Sequence, residues 1–515
     1  MGFFSDLLSL RVRPRPAADR AEPVLGADAA PAAAGRQQRS FQMARHGRLT
    51  TSWTGRTAYG DANQQIYADH TALTARAREQ SINNGYAKRF YRLLKQNVIG
   101  SQGVQLMSKA KTADGKPDRE TRRLIELEWW KWCKRGNCDV TRKLSFWMFQ
   151  RLWVETLARD GEVMVRIVRN FPNRCGFALQ ILEADRLDVT LNQELSNGNR
   201  VRMGVELDAW EAPVAYWLLK AHPGDVWQGR AEDKYERVPV SELRHSFDPW
   251  RPHQARGFTW THASALELHH LGEYRNSEMV AAEQGAKITG VYEQDAEFVE
   301  DPGADGDDGE IDEVIEAGSS KLLPYGVKWK PYNNTHPSTN FAPFTKAGLR
   351  GIAAGFGPSY NKLAHDLEGV SFSSMRSGEL DDRDFYKDGQ QFVISELLEL
   401  VGEVWLDMAL LKGVLNLPPR NFHLYSDLEW APRGWDWVDP TKDSKAATES
   451  IGNRTKTRSD YIRQTGRDPD EVFVEMAEEE ARLRELGLTF ATPYTPAPGQ
   501  PQPSEKNDDD DQDAE

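Results

Sequence analysis

The stretch that most constrains the fold runs from Asn340 to Asp382, where three physically different segments follow one another. Leu349, Ile352, Ala353 and Phe356 recur at helical spacing, so Phe341 to Phe356 is expected to be a helix with one buried stripe. Gly357-Pro358 ends it, because glycine accepts the positive φ of a C-terminal cap and proline cannot continue the hydrogen-bond ladder. The residues from Glu368 to Gly378 are mostly Gly and Ser, with Val370, Phe372, Met375 and Arg376 among them, and are expected to form a loop.

This stretch resembles the portal proteins of tailed bacteriophages, in their lambda-like branch. The resemblance rests first on the string Ile352-Ala353-Ala354-Gly355-Phe356-Gly357-Pro358-Ser359-Tyr360-Asn361-Lys362-Leu363, which is similar to the family's IAAGxGxxYxxL signature. A second block lies far upstream, in the family's order: Asn83-Asn84-Gly85-Tyr86-Ala87, then Asn97-Val98-Ile99-Gly100. Further similarity follows in the Asp160-Gly161-Glu162 turn, in Leu182 to Leu187, and in the C-terminal blocks beginning at Asp439-Pro440, Thr457 and Gly466.

The resemblance implies a predominantly helical α+β chain with the portal fold of wing, stem, clip and crown, assembling as a ring of about twelve copies. Laid on this chain it implies a wing over 41–260 and 384–437, stem helices over 261–290 and 338–363, a clip over 291–337, a tunnel loop over 364–383 and a helical crown over 438–490. It also implies a structural, non-enzymatic role without cofactors. Double-stranded DNA would enter and leave a phage head through the ring, and the terminase large subunit, head-tail connector, major capsid and scaffold proteins would be partners. The expected location is the portal vertex of the virion, after assembly in the host cytoplasm.

Two site assignments follow. Val370, Ser371, Phe372, Ser373, Ser374, Met375 and Arg376 would face the channel, Arg376 as a ring of cations and the serines as donors to phosphate oxygens. The competing reading makes this a surface turn with Arg376 paired to Glu379 or Asp381. Asp305, Asp307, Asp308, Glu310 and Asp312, within the acidic run Glu293 to Glu316, would dock basic partner surfaces at the clip.

Composition is compatible with this. The 515 residues are 39% hydrophobic and 28% charged, which fits a globular chain, and no run approaches a membrane span. A net charge of −13 argues against gripping nucleic acid over the whole surface, though not against letting it slide. Residues 1–40, with Arg11, Arg13 and Arg15 among prolines, read as a disordered basic arm, and 491–515 as a disordered acidic tail. The three cysteines, Cys133, Cys138 and Cys175, suit a reducing compartment and lack a second ligand pair for zinc.

Trp129, Trp130 and Trp132 lie among lysines and arginines. A stacking surface for single strands is one reading; an amphipathic helix with Leu124, Leu127 and Trp130 as its stripe is the preferred one. Thr261 to Ile288 reads as a long helix, with Ala265, Leu268, Leu271, Met279 and Ala282 toward one side, and Asp384 to Leu411 as another. Arg420 to Trp430 reads as a strand. No P-loop, nucleophile elbow or paired zinc-ligand motif is present. The rival function is a metal-dependent nuclease built from dispersed carboxylates such as Glu183, Asp185 and Asp188.

Overall fold

The computed structural model describes residues 60–225, 234–287, 290–294, 327–331, 339–435, 440–465 and 467–488, all within one compact unit, Gly60–Glu515. Helices α1 (Ala62–Asn83) and α2 (Gly85–Leu94) meet at Asn84, whose extended backbone breaks the first helix. The Asn84 side chain then caps the second by accepting from the amides of Tyr86 and Ala87 at 2.9 and 3.2 Å. The NNGYA motif is therefore a helix restart, with an asparagine satisfying amides that the new helix leaves free. A π-helical turn, Lys95–Ile99, ends at Gly100, and strand β1 (Gln105–Ser108) follows.

Helices α3 (Arg119–Cys133) and α4 (Phe146–Asp160) carry the aromatic core. Trp129 packs edge-on against Trp405 and Phe146, and Trp132 stacks on Phe177 at 5.3 Å. The packing reading of this segment holds, but the stripe is one residue out of phase: Ile125, Glu128, Trp129 and Trp132 are buried, while Leu127 and Trp130 are exposed. Trp130 instead carries the Lys134 ammonium 3.7 Å above its ring, a surface cation–π pair.

Strand β2 (Glu162–Arg169) lies between β3 (Phe177–Leu182) and β9 (Leu243–Phe247) in an antiparallel sheet, with Met164 opposite Leu182 and His245. A second sheet is a meander of β4 (Gln193–Glu194), β5 (Arg200–Arg202), β6 (Val205–Leu207), β7 (Pro213–Leu219) and β8 (Tyr235–Pro239). Its inner face, with Val205, Tyr216, Leu218 and Val238, forms a smaller core with Ile66, Met164 and Leu243.

At the seam of these sheets lies a fully buried charge cluster. Glu162 opens β2 and accepts from Arg256 (Nε at 2.9 Å, Nη2 at 2.5 Å), His70 at 3.1 Å, His245 at 2.9 Å and the Gly257 amide at 3.0 Å. Burial alone would raise the pKa of this carboxyl; the Arg256 charge and the bonds from His245 and His70 outweigh it and hold Glu162 well below its ordinary range. Just before it, Asp160 receives the guanidinium groups of both Arg78 and Arg159. Gly161 between them has φ +87°, and a Cβ there would fall 1.9 Å from the Phe258 carbonyl carbon. Only glycine allows the 256–258 segment to close over the carboxylate.

Helix α5 (Ala265–Lys287) leads into an antiparallel pair, β10 (Gly290–Gln294) and β11 (Val327–Pro331), with Tyr292 opposite Trp329. Helix α6 (Phe341–Phe356) returns along α5. The contacts run in opposite order, Tyr274 with Phe341 and Phe344, Leu271 with Gly348, Glu267 with Gly351 and Ser264 with Gly355, so the helices are antiparallel. The expected α6 stripe is the observed one, Leu349, Ile352, Ala353 and Phe356. The α5 expectation holds for Leu268 and Leu271, whereas Met279 is 65% exposed.

The chain then forms α7 (Tyr360–Ala364) and α8 (Phe372–Val393). A π-helical turn, Ile394–Leu398, joins α8 to α9 (Glu399–Leu411). The segment read as a strand from Arg420 is a 3-10 turn and a short helix, α10 (Phe422–Tyr425). Only β12 (Leu428–Ala431) is extended, and it pairs with β1. Three helices close the chain: α11 (Pro440–Gly452), α12 (Arg458–Gln464) and α13 (Pro469–Glu485). No helix among the described residues is long and apolar enough to cross a membrane.

Candidate functional site

The segment after α6 is built from its stop signal outward. Gly357 has φ +104°, and a Cβ there would lie 2.4 Å from the Phe385 ring, so glycine both turns the chain and lets α8 approach. Ser359 then donates through its amide and hydroxyl to the buried Asp382, at 2.7 and 2.8 Å, tying the start of α7 to α8. Burial raises the Asp382 pKa, against the hydrogen bonds from Ser359.

The turn over 365–370 folds back on α6. His365 (φ 56°) and Gly369 (φ 71°) take left-handed conformations. Asp366 accepts from the Tyr360 hydroxyl at 2.6 Å and the Glu368 amide at 3.0 Å, and the Tyr360 bond holds its pKa below the ordinary value. Lys346 on α6 reaches both Asp366 (3.3 Å) and Glu368 (2.6 Å).

The expected loop from Glu368 to Gly378 is shorter than read. Only 368–370 form the turn, and Phe372 to Gly378 are the first turns of α8. The cause is Ser371, whose hydroxyl accepts from the Ser374 amide at 3.2 Å and so caps the helix. The exposed hydroxyls of Ser373 and Ser374 lie within hydrogen-bond distance of the Ser371 hydroxyl, at 3.1 and 2.9 Å. Val370 is half-buried and Met375 exposed. Arg376 pairs with neither Glu379 nor Asp381: its Nη2 donates to Asp443 of α11 at 2.7 Å, while Glu379 takes Lys362. Sequence reasoning missed Asp443, and no local signal marks it, because it lies 67 residues from its partner.

The other assigned residues divide. Asp305, Asp307, Asp308, Glu310 and Asp312 lie outside the described residues, in the connection between β10 and β11. Of the rival carboxylates, Glu183 and Asp185 converge with His222, their ligand atoms within 4.8 Å of one another, and Asp188 does not join them. Glu183 and Asp185 meet His222, at 3.2 and 3.5 Å, but Asp185 is also engaged by Arg78 at 2.5 Å. Asp188 is held elsewhere by Tyr235 (2.6 Å), Lys234 (3.0 Å) and Thr190, whose bonds drive its pKa down against the cost of burial. The Glu162 cluster also escaped sequence reasoning, although a carboxylate opening the apolar run Val163 to Val165 was its visible sign.

Comparison with known proteins supplies the context for this geometry. The family model described as phage portal protein, lambda family, matches residues 46–390. The probable portal protein of Halomonas phage phiHAP-1 is 63% identical over 470 residues, covering 90% of this chain and 91% of that protein. Portal protein B of Escherichia phage lambda is 23% identical over 477 residues, covering 85% and 88%. Among solved structures, a chain from the neck of a native GTA particle computed with C12 symmetry is 16% identical, with 76% of this chain and 92% of that one covered, at a TM-score of 0.44. On the family match and the 63% relative, the chain belongs to the lambda family of phage portal proteins.

Proposed function

We propose that this chain forms a closed ring of about twelve copies at one vertex of a phage head. Double-stranded DNA passes along the ring axis during packaging and ejection. The observation that carries this reading is the antiparallel pair α5–α6 with the β10–β11 ribbon at its far end and the tied turn at its near end, in a chain of the portal family. In this reading α5 and α6 are the stem, the ribbon and its acidic connection the clip, residues 60–260 and 384–435 the wing, and α11–α13 the crown. Val370 to Arg376 face the channel as a short turn and a capped helix start. The clip meets terminase and the head-tail connector, and the role is structural rather than enzymatic.

Contacts with sequence-independent DNA must be numerous, weak and directed to phosphate, so that the duplex slides. Deleting Val370 to Arg376 tests the reading. Negative-stain images should still show closed rings, while the yield of filled heads falls. Wild-type yields would end the channel assignment, and monomers under all conditions for the intact chain would end the ring.

A further inference from the structure

The Arg376–Asp443 pair leaves the channel reading without its obvious cation, since an arginine already bridged to a carboxylate must release it before meeting phosphate. An open cavity of about 420 Å³ beside the same turn offers another. Lys346, Arg350, Tyr360, Asp366, Val370 and Ser374 are among its lining residues, so it opens between α6 and the residues assigned to the channel. A water's share of liquid volume is about 30 Å³, so the cavity has room for a hydrated phosphate.

Arg350 differs from Lys346, Lys362 and Arg376 around it. Lys346 is held by Asp366 and Glu368, Lys362 by Glu379 and Arg376 by Asp443. Among the described residues, no carboxylate forms an ion pair with Arg350; it is exposed, and its guanidinium lies over the Tyr360 ring, 5.4 Å from the centroid. An aromatic face orients a guanidinium while leaving its N–H edge free, and that edge matches the oxygens of a phosphate. Tyr360 is itself fixed by its hydroxyl bond to Asp366.

We infer that Arg350, oriented by Tyr360 in this cavity, is the phosphodiester-binding cation of the channel, and that Arg376 is held in reserve by Asp443. The inference rests on the channel reading above. It also explains how the hold on DNA stays weak. Lys346 and Arg350 face Asp366 and Glu368, so the lining is formally neutral and one arginine edge per copy is presented to the backbone. A neutral pocket holds a phosphate briefly and releases it to the next copy.

The experiment uses full-length rings and a short duplex of random sequence, with binding followed between about 50 and 200 mM salt. Arg350→Ala should lower the slope of log affinity against log salt by about 0.9 for each phosphate that is no longer neutralised. Arg350→Lys should restore part of that slope, Arg376→Ala should change little, and Asp443→Asn, which frees Arg376, should steepen it. Ring images check assembly of each variant, and Arg350→Gln replaces the alanine variant if its rings fail to close. If Arg350→Ala binds as wild type while Arg376→Ala or the 370–376 deletion weakens binding, the Arg350 assignment is overturned and the channel reading survives. If the deletion and both arginine variants leave binding unchanged, both fail together.

Discussion

Replacing Glu162 by glutamine keeps shape and volume but removes the one negative charge in a site where Arg256 is completely buried. Arg256 would keep its bonds to the carbonyls of Ala184, Leu187 and Met203, at 3.1, 3.2 and 2.9 Å, and lose its counter-ion. The new amide also turns an NH2 toward groups that are already donors: Arg256, the Gly257 amide and the histidines. Breaking one partner out of a buried ion pair costs about 3–5 kcal/mol, chiefly because the other charge stays buried and unpaired. At about 1.4 kcal/mol per factor of ten, opening of β2 should become roughly 10² to 10⁴ times more frequent. Hydrogen exchange of the Val163 to Ile167 amides reads this directly and avoids assuming two-state unfolding for so large a chain. Adding Arg256→Met, which removes the stranded cation, should recover most of the loss. An opening increase below tenfold, or a double variant no better than the single one, would refute the reasoning. The same cluster sets an acid limit. Because the folded-state pKa of Glu162 lies below its ordinary 4.5, the stabilisation is fully present above that pH and is lost as pH falls toward the folded value.

Two further outcomes can be measured directly. Ser371→Ala removes the cap of α8 and should cost about 1 kcal/mol, seen as faster exchange of the amides over 372–376 with α9 unaffected; equal exchange would mean that the helix start does not depend on the hydroxyl. Neutralising Asp305, Asp307, Asp308, Glu310 and Asp312 together should slow docking of a basic connector or terminase surface at low salt more than at high salt, and unchanged association rates would reduce the acidic run to a spacer.

What could be read in the sequence was local. The α6 stripe and its Gly357 stop follow from spacing and backbone stereochemistry within twenty residues, and the structure reproduces both. Ser371 also carried a local signal, since serine is a preferred N-cap residue; Gly/Ser composition concealed it. The remaining differences are non-local. β12 is extended because β1 supplies its partner from the other end of the chain, while the residues just before it close into helical turns. Trp129 and Trp132 face inward because Trp405 and Phe177 wait there, and a helical wheel alone fits a neighbouring phase nearly as well. Arg376 finds Asp443 only once α11 has returned to α8.

The distribution of exposed apolar surface bears on what the working unit is. Within one chain, the 23-residue helix α5 buries Leu268, Leu271 and Glu278, while Leu266 is 67%, Met279 65% and Val280 50% exposed. Phe344 on α6, beside it, is 57% exposed. Helices in water depend mainly on tertiary packing of an apolar face, and this pair offers each other only one side. Scattered exposed side chains need no explanation, but three on one long helix beside a fourth on its partner leave surface for a neighbour to cover. A heterologous ring meets that need, since each copy covers a neighbour with one face and is covered on another, and the pattern closes without an exposed end. The exposed apolar residues of α5 and α6 are the surface that a neighbouring copy in the proposed ring would cover.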